Sequence, residues 1–502
     1  MVSRLQLRLV ITLPIFSVII AILLACSPAD DKNSKALITI QQPTHQAPFS
    51  PSLNEWPHSI SDMAPDPRVT FGRLENGLRY AILPVADDNG TVSIQMHISV
   101  GFKDEPEHLY GIAHMLEHMA FRGANKDKEK SIIHDMQTLG AGFGFDLNGF
   151  TSNDNTFYRV NLASPKFDEI STALNSFGKL VMEPSLTAEF LDIERKVVLS
   201  ELRQRDSIRA RAQQDENHFK YPDRKRNKVP GIGTKESLDA ITLEDVKVFF
   251  KEHYRPDNTI LVVVGGVDLL KTEKKLSQVF SDWSTGSNTP SEHVEQVDEV
   301  DLTTFPRVKH YMEKGAKTQL SLIENTPATL QNDTLEVRKI IFAERIANAM
   351  IKTRLKPRIE AEKNVSWINL QKARTKNYDI QSVTIGARDY VIASTIFEEE
   401  RLRAIKHGFT EEELALALKA ELAILRRLNE TPDFINAWSE ANRLRRNFNI
   451  GQVYTSRAQQ LALFQTFSKN LSLQDYNEAA KNLWANFKPR IGPNLTNLWM
   501  RL

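Results

Sequence analysis

The segment His114-Met115-Leu116-Glu117-His118 constrains this chain more than any other stretch of its 502 residues. Residues in a helix advance by about 100° each, so Ile112, Met115, Leu116 and Met119 share one face of a helix spanning roughly Leu109 to Phe121. His114, Glu117 and His118 then fall on the opposite, polar face. Such a helix must bury its apolar side in a core and still find partners for two imidazoles and a carboxylate. His114 and His118, four residues apart, can aim both rings at one ion, and Glu117 can reach a water held on that ion. The order is the reverse of the commoner His-Glu-x-x-His arrangement.

A second helix, from Thr187 to Arg205, adds weight to a metal reading. Its periodicity puts Phe190, Ile193, Val197 and Val198 on an apolar face, and Glu194 and Glu201, seven residues apart, lie within that stripe. Carboxylates that face a core need a compensating partner, and a divalent cation supplies one. Later in the chain, Thr410 to Leu416 repeats the pattern of Thr187 to Ile193, with a Thr cap, an acidic first turn and matched apolar positions. Counting from Thr410, the positions of the two acids are taken by Ala417 and Ile424. The expected second copy therefore keeps the stripe without the acids, which confines any metal site to the first half.

The rest of the chain organises around these helices. Arg4 and Arg8, the apolar run Leu9 to Leu24 and the sequence Leu23-Leu24-Ala25-Cys26 have the anatomy of a signal peptide, residues 1–26, ending in a lipidation site at Cys26. Cys26 is the only cysteine, so no disulfide braces the fold. Residues 27–66, rich in Pro, Ser, Asp and Gln, read as a flexible tether. Strands are expected at Val69 to Arg73, Arg79 to Pro84, Val92 to Val100 and Thr259 to Val264, with further helices at Ile132 to Leu139 and Lys166 to Met182. Strands mixed with long helices predict an α+β domain over 67–284. A polar, acidic linker over 285–305 and a second domain of similar size over 306–502 follow. The 64 basic and 63 acidic residues nearly cancel and are interspersed, which argues against a nucleic-acid partner.

With these residues in place, the chain resembles the pitrilysin/insulinase group of metallopeptidases, which includes the mitochondrial processing peptidases. The His-x-x-Glu-His order is a known signature of inverted zinc peptidases. Val100-Gly101-Phe102-Lys103-Asp104-Glu105 and Gly111-Ile112-Ala113 lead into it, and Met119-Ala120-Phe121-Arg122-Gly123 follows it, as in the group. Asn148-Gly149-Phe150-Thr151-Ser152 is similar to the group's Asn-Ala-Tyr-Thr-Ser strand. Glu194 to Glu201 matches its second ligand helix, and Tyr254 to Asn258 its late turn before a strand.

The resemblance implies two similar domains, each a mostly antiparallel sheet packed with helices, in the processing-peptidase/LuxS-like metallohydrolase fold. It implies one zinc ion per chain on His114, His118 and Glu201, with Glu194 in support and Glu117 as general base for attack of a zinc-activated water on a peptide carbonyl. From His118 to Glu201 is 83 positions, a little longer than usual for the group, so the choice between Glu201 and Glu194 as third ligand stays open. Substrate peptide is expected to add to a sheet edge at Asn148 and the backbone of Phe150, Thr151 and Ser152. The group encloses substrate between four such domains, and this chain has room for two. A homodimer, or a second chain of the same kind, is therefore the expected partner, and a non-catalytic half-assembly subunit the alternative function. Tyr378 and Tyr390 read as packing or surface residues rather than as the group's substrate-binding Tyr. The expected location is outside the cytoplasm, anchored by lipid at Cys26 to a bacterial outer membrane and facing the periplasm.

Overall fold

A computed structural model of the protein describes residues 55–85, 90–122, 132–221, 229–284, 320–327, 332–374, 378–430, 436–488 and 490–491. The signal segment, Cys26, the tether as far as residue 54 and the linker 285–305 lie outside the described residues.

The first half runs β1 (Thr70–Arg73), β2 (Arg79–Pro84), β3 (Val92–Ile98), α1 (Ile112–Ala120), α2 (Ile132–Thr138), β4 (Leu147–Thr151), β5 (Thr156–Leu162), α3 (Phe167–Met182), α4 (Ala188–Arg205), α5 (Ile208–Lys220), α6 (Lys235–Ala240), α7 (Leu243–His253), β6 (Thr259–Gly265) and α8 (Leu269–Phe280). The second half runs β7 (Leu320–Pro327), α9 (Leu335–Ala361), β8 (Val365–Arg374), β9 (Tyr378–Ala387), α10 (Tyr390–His407), α11 (Glu411–Glu430), α12 (Ala437–Asn449), α13 (Arg457–Asn470), α14 (Leu473–Trp484) and β10 (Arg490–Ile491). The fold is α+β, with two units of sheet and helices.

The first sheet has the order β1-β2-β6-β3-β5-β4, antiparallel except where β2 runs parallel to β6. The second has the order β10-β7-β9-β8 and is antiparallel throughout its described strands. In β3, Val92, Ile94, Met96 and Ile98 face the helices of the first half, which is the alternation the sequence shows. β6 is apolar on both faces, and both are covered. Leu261 and Val263 join the main core, while Ile260, Val262 and Val264 meet a helix from the other half.

That helix is α12. Ala437, Ala441 and Leu444 pack on Val69, Ala81, Leu83, Ile260, Val262 and Val264, so the second half closes the open face of the first sheet. The exchange is reciprocal: Phe219, at the end of α5, packs on Ile323 of β7 and Ile380 of β9 in the second sheet. Each half thus supplies a helix to its neighbour's sheet, and the expected division into 67–284 and 306–502 does not mark two separately closed cores.

The segment 27–66, expected as a flexible tether, is described from residue 55 onward. From Glu55 to Asp66 the chain is docked rather than free, because Trp56 and Met63 give it apolar anchors. Trp56 packs at tilted angles against Phe71 and Phe448, and Met63 is buried. This strap bonds to both halves. Arg79 donates to Glu55 O at 3.2 Å, Asn332 to Ile60 O at 3.0 Å, the Leu335 N–H to Asp62 at 2.9 Å and the Asp66 N–H to Tyr454 O at 2.9 Å.

Candidate metal centre

Helix α1 begins three residues later than the expected Leu109, at Ile112, because Gly111 sits at φ 98° in the left-handed region, where a Cβ would come within 2.5 Å of Ile232 O. Gly111 has no capping side chain. The buried carboxylate of Glu105 caps the helix instead, accepting from the Gly111 N–H and the Ala113 N–H, each at 3.1 Å. A carboxylate at this end is also favoured by the helix dipole. The polar face is enclosed: α1 packs on α4, β4 and α7, leaving His114 at 5% and Glu117 at 6% exposure.

On α4 the apolar face is not the one the periodicity predicts. Phe190, Leu191, Glu194 and Val198 are buried, whereas Ile193 and Val197 are 37% and 42% exposed. The buried stripe follows the i, i+4, i+8 row through Phe190, Glu194 and Val198, and both acids remain on the side facing α1. In α11, the expected counterpart, Ala417 is buried but Ile424 is 54% exposed, so the apolar stripe expected there does not reach the position matching Glu201, which is itself only half-buried.

His114, His118 and Glu201 bring one ligand atom each within 4.8 Å of one another, and they form the one cluster of that kind among the described residues. Glu201 Oε2 lies 3.4 Å from His118 Nε2 and 3.8 Å from His114 Nε2. Two ligands held about 2.1 Å from a tetrahedral ion stand roughly 3.4 Å apart, so this donor set fits zinc with little adjustment. Glu117 Oε2 is 3.9 Å from His114 Nε2, beside the cluster. Glu194 stands behind it, with Oε2 3.1 Å from His118 Nδ1 and Oε1 accepting from Arg122 Nε at 2.5 Å. The two acids, equivalent in the sequence, are thus separated: Glu201 meets both Nε2 atoms and Glu194 meets the far nitrogen of one ring.

The protonation of the cluster follows from its burial. Desolvation pushes His114 down to about 3, the neighbouring His118 adding to the shift, so this ring is neutral and free to donate a lone pair. Desolvation also raises Glu117 to about 7, against the pull of His118 and of a hydrogen bond from Thr151. For His118 burial disfavours the cation, but hydrogen bonds to Glu194 and Glu201 outweigh it and carry the ring up to about 9. Glu201 is held down at about 2, first by its hydrogen bond to His118. His118 thus has a carboxylate at each ring nitrogen, Glu194 at Nδ1 and Glu201 at Nε2, and a divalent cation would take the place of the Nε2 proton beside Glu201.

The edge strand β4 completes the site, and the expected substrate-binding residues divide between its faces. Thr151 is buried, and its hydroxyl donates to Glu117 Oε2 at 2.8 Å. Gly149 faces the same way, and a Cβ there would come within 2.3 Å of Glu117 Oε1. Asn148 and Phe150 point to the opposite face, the one under α12. Asn148 donates to Gly144 O at 3.3 Å, and the exposed Phe150 ring lies 5.6 Å from Phe157. Ser152 belongs to a turn: its N–H donates to Asn155 O and its C=O accepts from the Phe102 N–H.

The Ser152 to Asn155 and Asn161 to Asp146 bonds put the β5-facing backbone groups of β4 on its even-numbered residues. Gly149 and Thr151 therefore turn their N–H and C=O to the open edge, whereas Leu147 spends its own on Gly142 and Gly144. Backbone capacity for an added strand accordingly lies at Gly149 and Thr151, not at Phe150 and Ser152. Strand parity, invisible until the pairing is known, decides this. Glu105 and Arg122 stand in the segments that flank the motif, but their contacts, the helix cap and the bond to Glu194, were not legible because they depend on how the chain folds back on α1 and α4.

Comparison with known proteins shows the family. The insulinase (peptidase family M16) model matches residues 81–220, and the peptidase M16 inactive-domain model matches 240–421. The chain belongs to peptidase family M16. It is 28% identical over 375 residues to the probable zinc protease PqqL of Haemophilus influenzae, covering 73% of this chain and 39% of that protein. It is also 28% identical over 224 residues to the chloroplastic stromal processing peptidase of Pisum sativum, covering 44% of this chain and 17% of that one. The chain spans less than half the length of these relatives.

Among solved structures, the periplasmic protease PqqL from Escherichia coli superposes with a TM-score of 0.78 at 22% identity, over 87% of this chain and 48% of that one. The first half of the same protease superposes at 0.76 and 21% identity, over 86% of this chain and 92% of that one. These likenesses establish the two-domain M16 fold.

Proposed function

We propose that this M16 chain is a zinc-dependent endopeptidase, with His114, His118 and Glu201 as metal ligands, Glu117 as general base and Glu194 as support for His118. The observation that carries the reading is the convergence of two imidazole nitrogens and one carboxylate oxygen beside a separate carboxylate, Glu117. A zinc ion held there supplies a lowered pKa for a bound water and polarises a peptide carbonyl. Glu117 takes the water's proton on Oε1 or Oε2 and passes it to the leaving amine. Thr151 steadies that carboxylate, and the open backbone groups of Gly149 and Thr151 align an extended peptide along β4. Burial around His114 and Glu117 keeps competing water from the reacting centre.

Substrates in this reading are short or unfolded polypeptides, which alone can offer an extended strand to a sheet edge. The signal-like residues 1–26 and the periplasmic location of the E. coli PqqL support a site of action outside the cytoplasm, with Cys26 as lipid anchor to the outer membrane. The match to the first half of PqqL supports a second reading, in which this chain works with another two-domain unit, a second copy or a related chain, and contributes the metal-bearing half of the enclosure.

The test is cleavage of a quenched peptide library by protein lacking residues 1–26, with and without chelator, beside Glu117→Gln. Hydrolysis that chelator and Glu117→Gln each abolish is the expected result. Equal activity in the wild type and Glu117→Gln overturns the enzymatic assignment. Stoichiometric zinc with no hydrolysis in either selects the half-assembly reading, and light scattering on the same sample reads out self-association.

A further inference from the structure

We propose that Arg122 is a positioning residue of the metal centre, acting through Glu194 on the ring of His118. The inference rests on the zinc reading above and adds a residue to it. Glu194 is 4% exposed, and a carboxylate buried there can turn toward the ligand cluster and compete with Glu201. Arg122 closes that route. Its Nε donates to Glu194 Oε1 at 2.5 Å and its Nη2 pairs with the same oxygen, which anchors that side of the carboxylate away from the cluster. Oε2 is then left for His118 Nδ1, at 3.1 Å.

The consequence falls on the tautomer of His118. A ring whose Nδ1–H donates to a carboxylate presents its Nε2 lone pair on the other side, and that atom is the one 3.4 Å from Glu201 Oε2. The device serves His118 alone, because His114 Nδ1 is buried and has no hydrogen-bond partner among the described residues. His118 is also the less buried of the two rings, with 19% of its side chain exposed against 6% for His114, so packing holds it less firmly.

Arg122 is placed to act as a brace between the two ligand helices. Its own N–H bonds to Met119 O at the end of α1, while its guanidinium lies 5.9 Å from the centre of the Phe190 ring on α4. The other arginine near the cluster, Arg205, pairs with Glu201 within one helix, but its side chain is 61% exposed and the pair is solvated. Exposed pairs of that kind contribute little. The buried carboxylate of Glu194 makes Arg122 the arginine that matters.

The experiment measures zinc affinity by competition with a chromogenic chelator for the wild type, Arg122→Gln, Arg122→Lys, Glu194→Gln and the double variant Arg122→Gln/Glu194→Gln. Arg122→Gln is expected to weaken zinc binding roughly 10- to 100-fold, the range for an outer-shell partner. Arg122→Lys, which keeps the charge without the fork, recovers part of the loss and serves as the test if the Gln variant does not fold. The double variant binds no more weakly than Glu194→Gln, since Arg122 acts only through that residue. Zinc affinity within twofold of wild type in both Arg122 variants, or additive losses in the double variant, overturns the proposal and leaves the metal centre standing. Failure of the wild type to bind zinc overturns the metal reading itself, and this inference with it.

Discussion

In the proposed mechanism Glu117 works as a carboxylate, and burial pushes it up to about 7 against the pull of His118 and of Thr151. Thr151 opposes that push, because a hydroxyl donating to the charged form stabilises it. Thr151→Val keeps the shape and removes the donor. The pKa of Glu117 then rises, the base is protonated over a wider range, and the acidic limb of the kcat/KM profile moves to higher pH. A hydrogen bond to a charged group is worth about 1.5–3 kcal/mol, so a displacement of roughly one to two pH units is expected. A profile that does not move, or moves to lower pH, refutes this role for Thr151. The identities of His114, Glu117 and His118 were legible in the sequence because spacing on one helix needs no tertiary information. The role of Thr151 was not, since a hydroxyl in a strand says nothing about which carboxylate it will meet.

Among the elements, β2 has the bounds the sequence predicts, and α1 to α4 and β6 differ from theirs by no more than three residues at either end, because period and capping residues are local signals. Faces were harder to read. Ile193 and Val197 were expected inside and lie outside, since which side of α4 is buried depends on where α1 passes. Helix α12 carries the clearest element-level prediction. Its Glu440 is 2% exposed and accepts from Arg443 Nε at 3.0 Å and Nη2 at 2.6 Å, from Arg457 at 3.2 Å and from the Tyr454 hydroxyl. Burial would raise this carboxyl, but the Arg443 hydrogen bonds and the other partners outweigh it and the pKa is lowered from its ordinary 4.5. A depressed carboxylate contributes stability that is complete above 4.5 and is lost as pH falls through the folded pKa. Glu440→Gln should cost about 3–5 kcal/mol near neutrality, as expected for breaking a buried ion pair. The loss should shrink as pH falls below 4.5 through the folded pKa, so that the urea midpoints of the two proteins draw together in acid. Parallel curves across pH 3–7 would show that Glu440 does not carry this charge.

At the scale of the whole molecule, the exchange of α5 and α12 makes the two halves mutually dependent. A fragment of residues 67–284 would expose the face of Ala81, Leu83, Ile260, Val262 and Val264 that α12 covers, a continuous apolar surface on a sheet. It is expected to aggregate when expressed alone and to recover solubility with residues 306–502 in the same cell. A soluble, monomeric fragment would mean that the first sheet closes without α12. The strap from Glu55 to Asp66 reinforces the same junction. Trp56→Ala, at a half-buried site, should cost about 2 kcal/mol, less than the full-core value for tryptophan. Calorimetry would read it as a lower Tm, and an unchanged Tm would reduce the strap to a passive linker. Zinc bound only by the folded chain should raise Tm, by about 2.7 kcal/mol of stability at a hundred times its Kd, and chelator should remove the gain.

The sequence by itself determined the α+β class and singled out the candidate ligand helix and the two candidate acids of the first half, because helical spacing and strand alternation are properties of neighbouring residues. Tertiary structure decided the rest. Glu201 and Glu194 occupy the same stripe of one helix, and only the packing of α4 against α1 sends one to both Nε2 atoms and the other to Nδ1. The open backbone at Gly149 and Thr151 follows from strand pairing, and the closure of each sheet by the other half's helix from contacts between residues far apart in the chain. Charge and hydrogen-bonding demand are written in the sequence, but which groups satisfy it depends on contacts that only the folded chain creates.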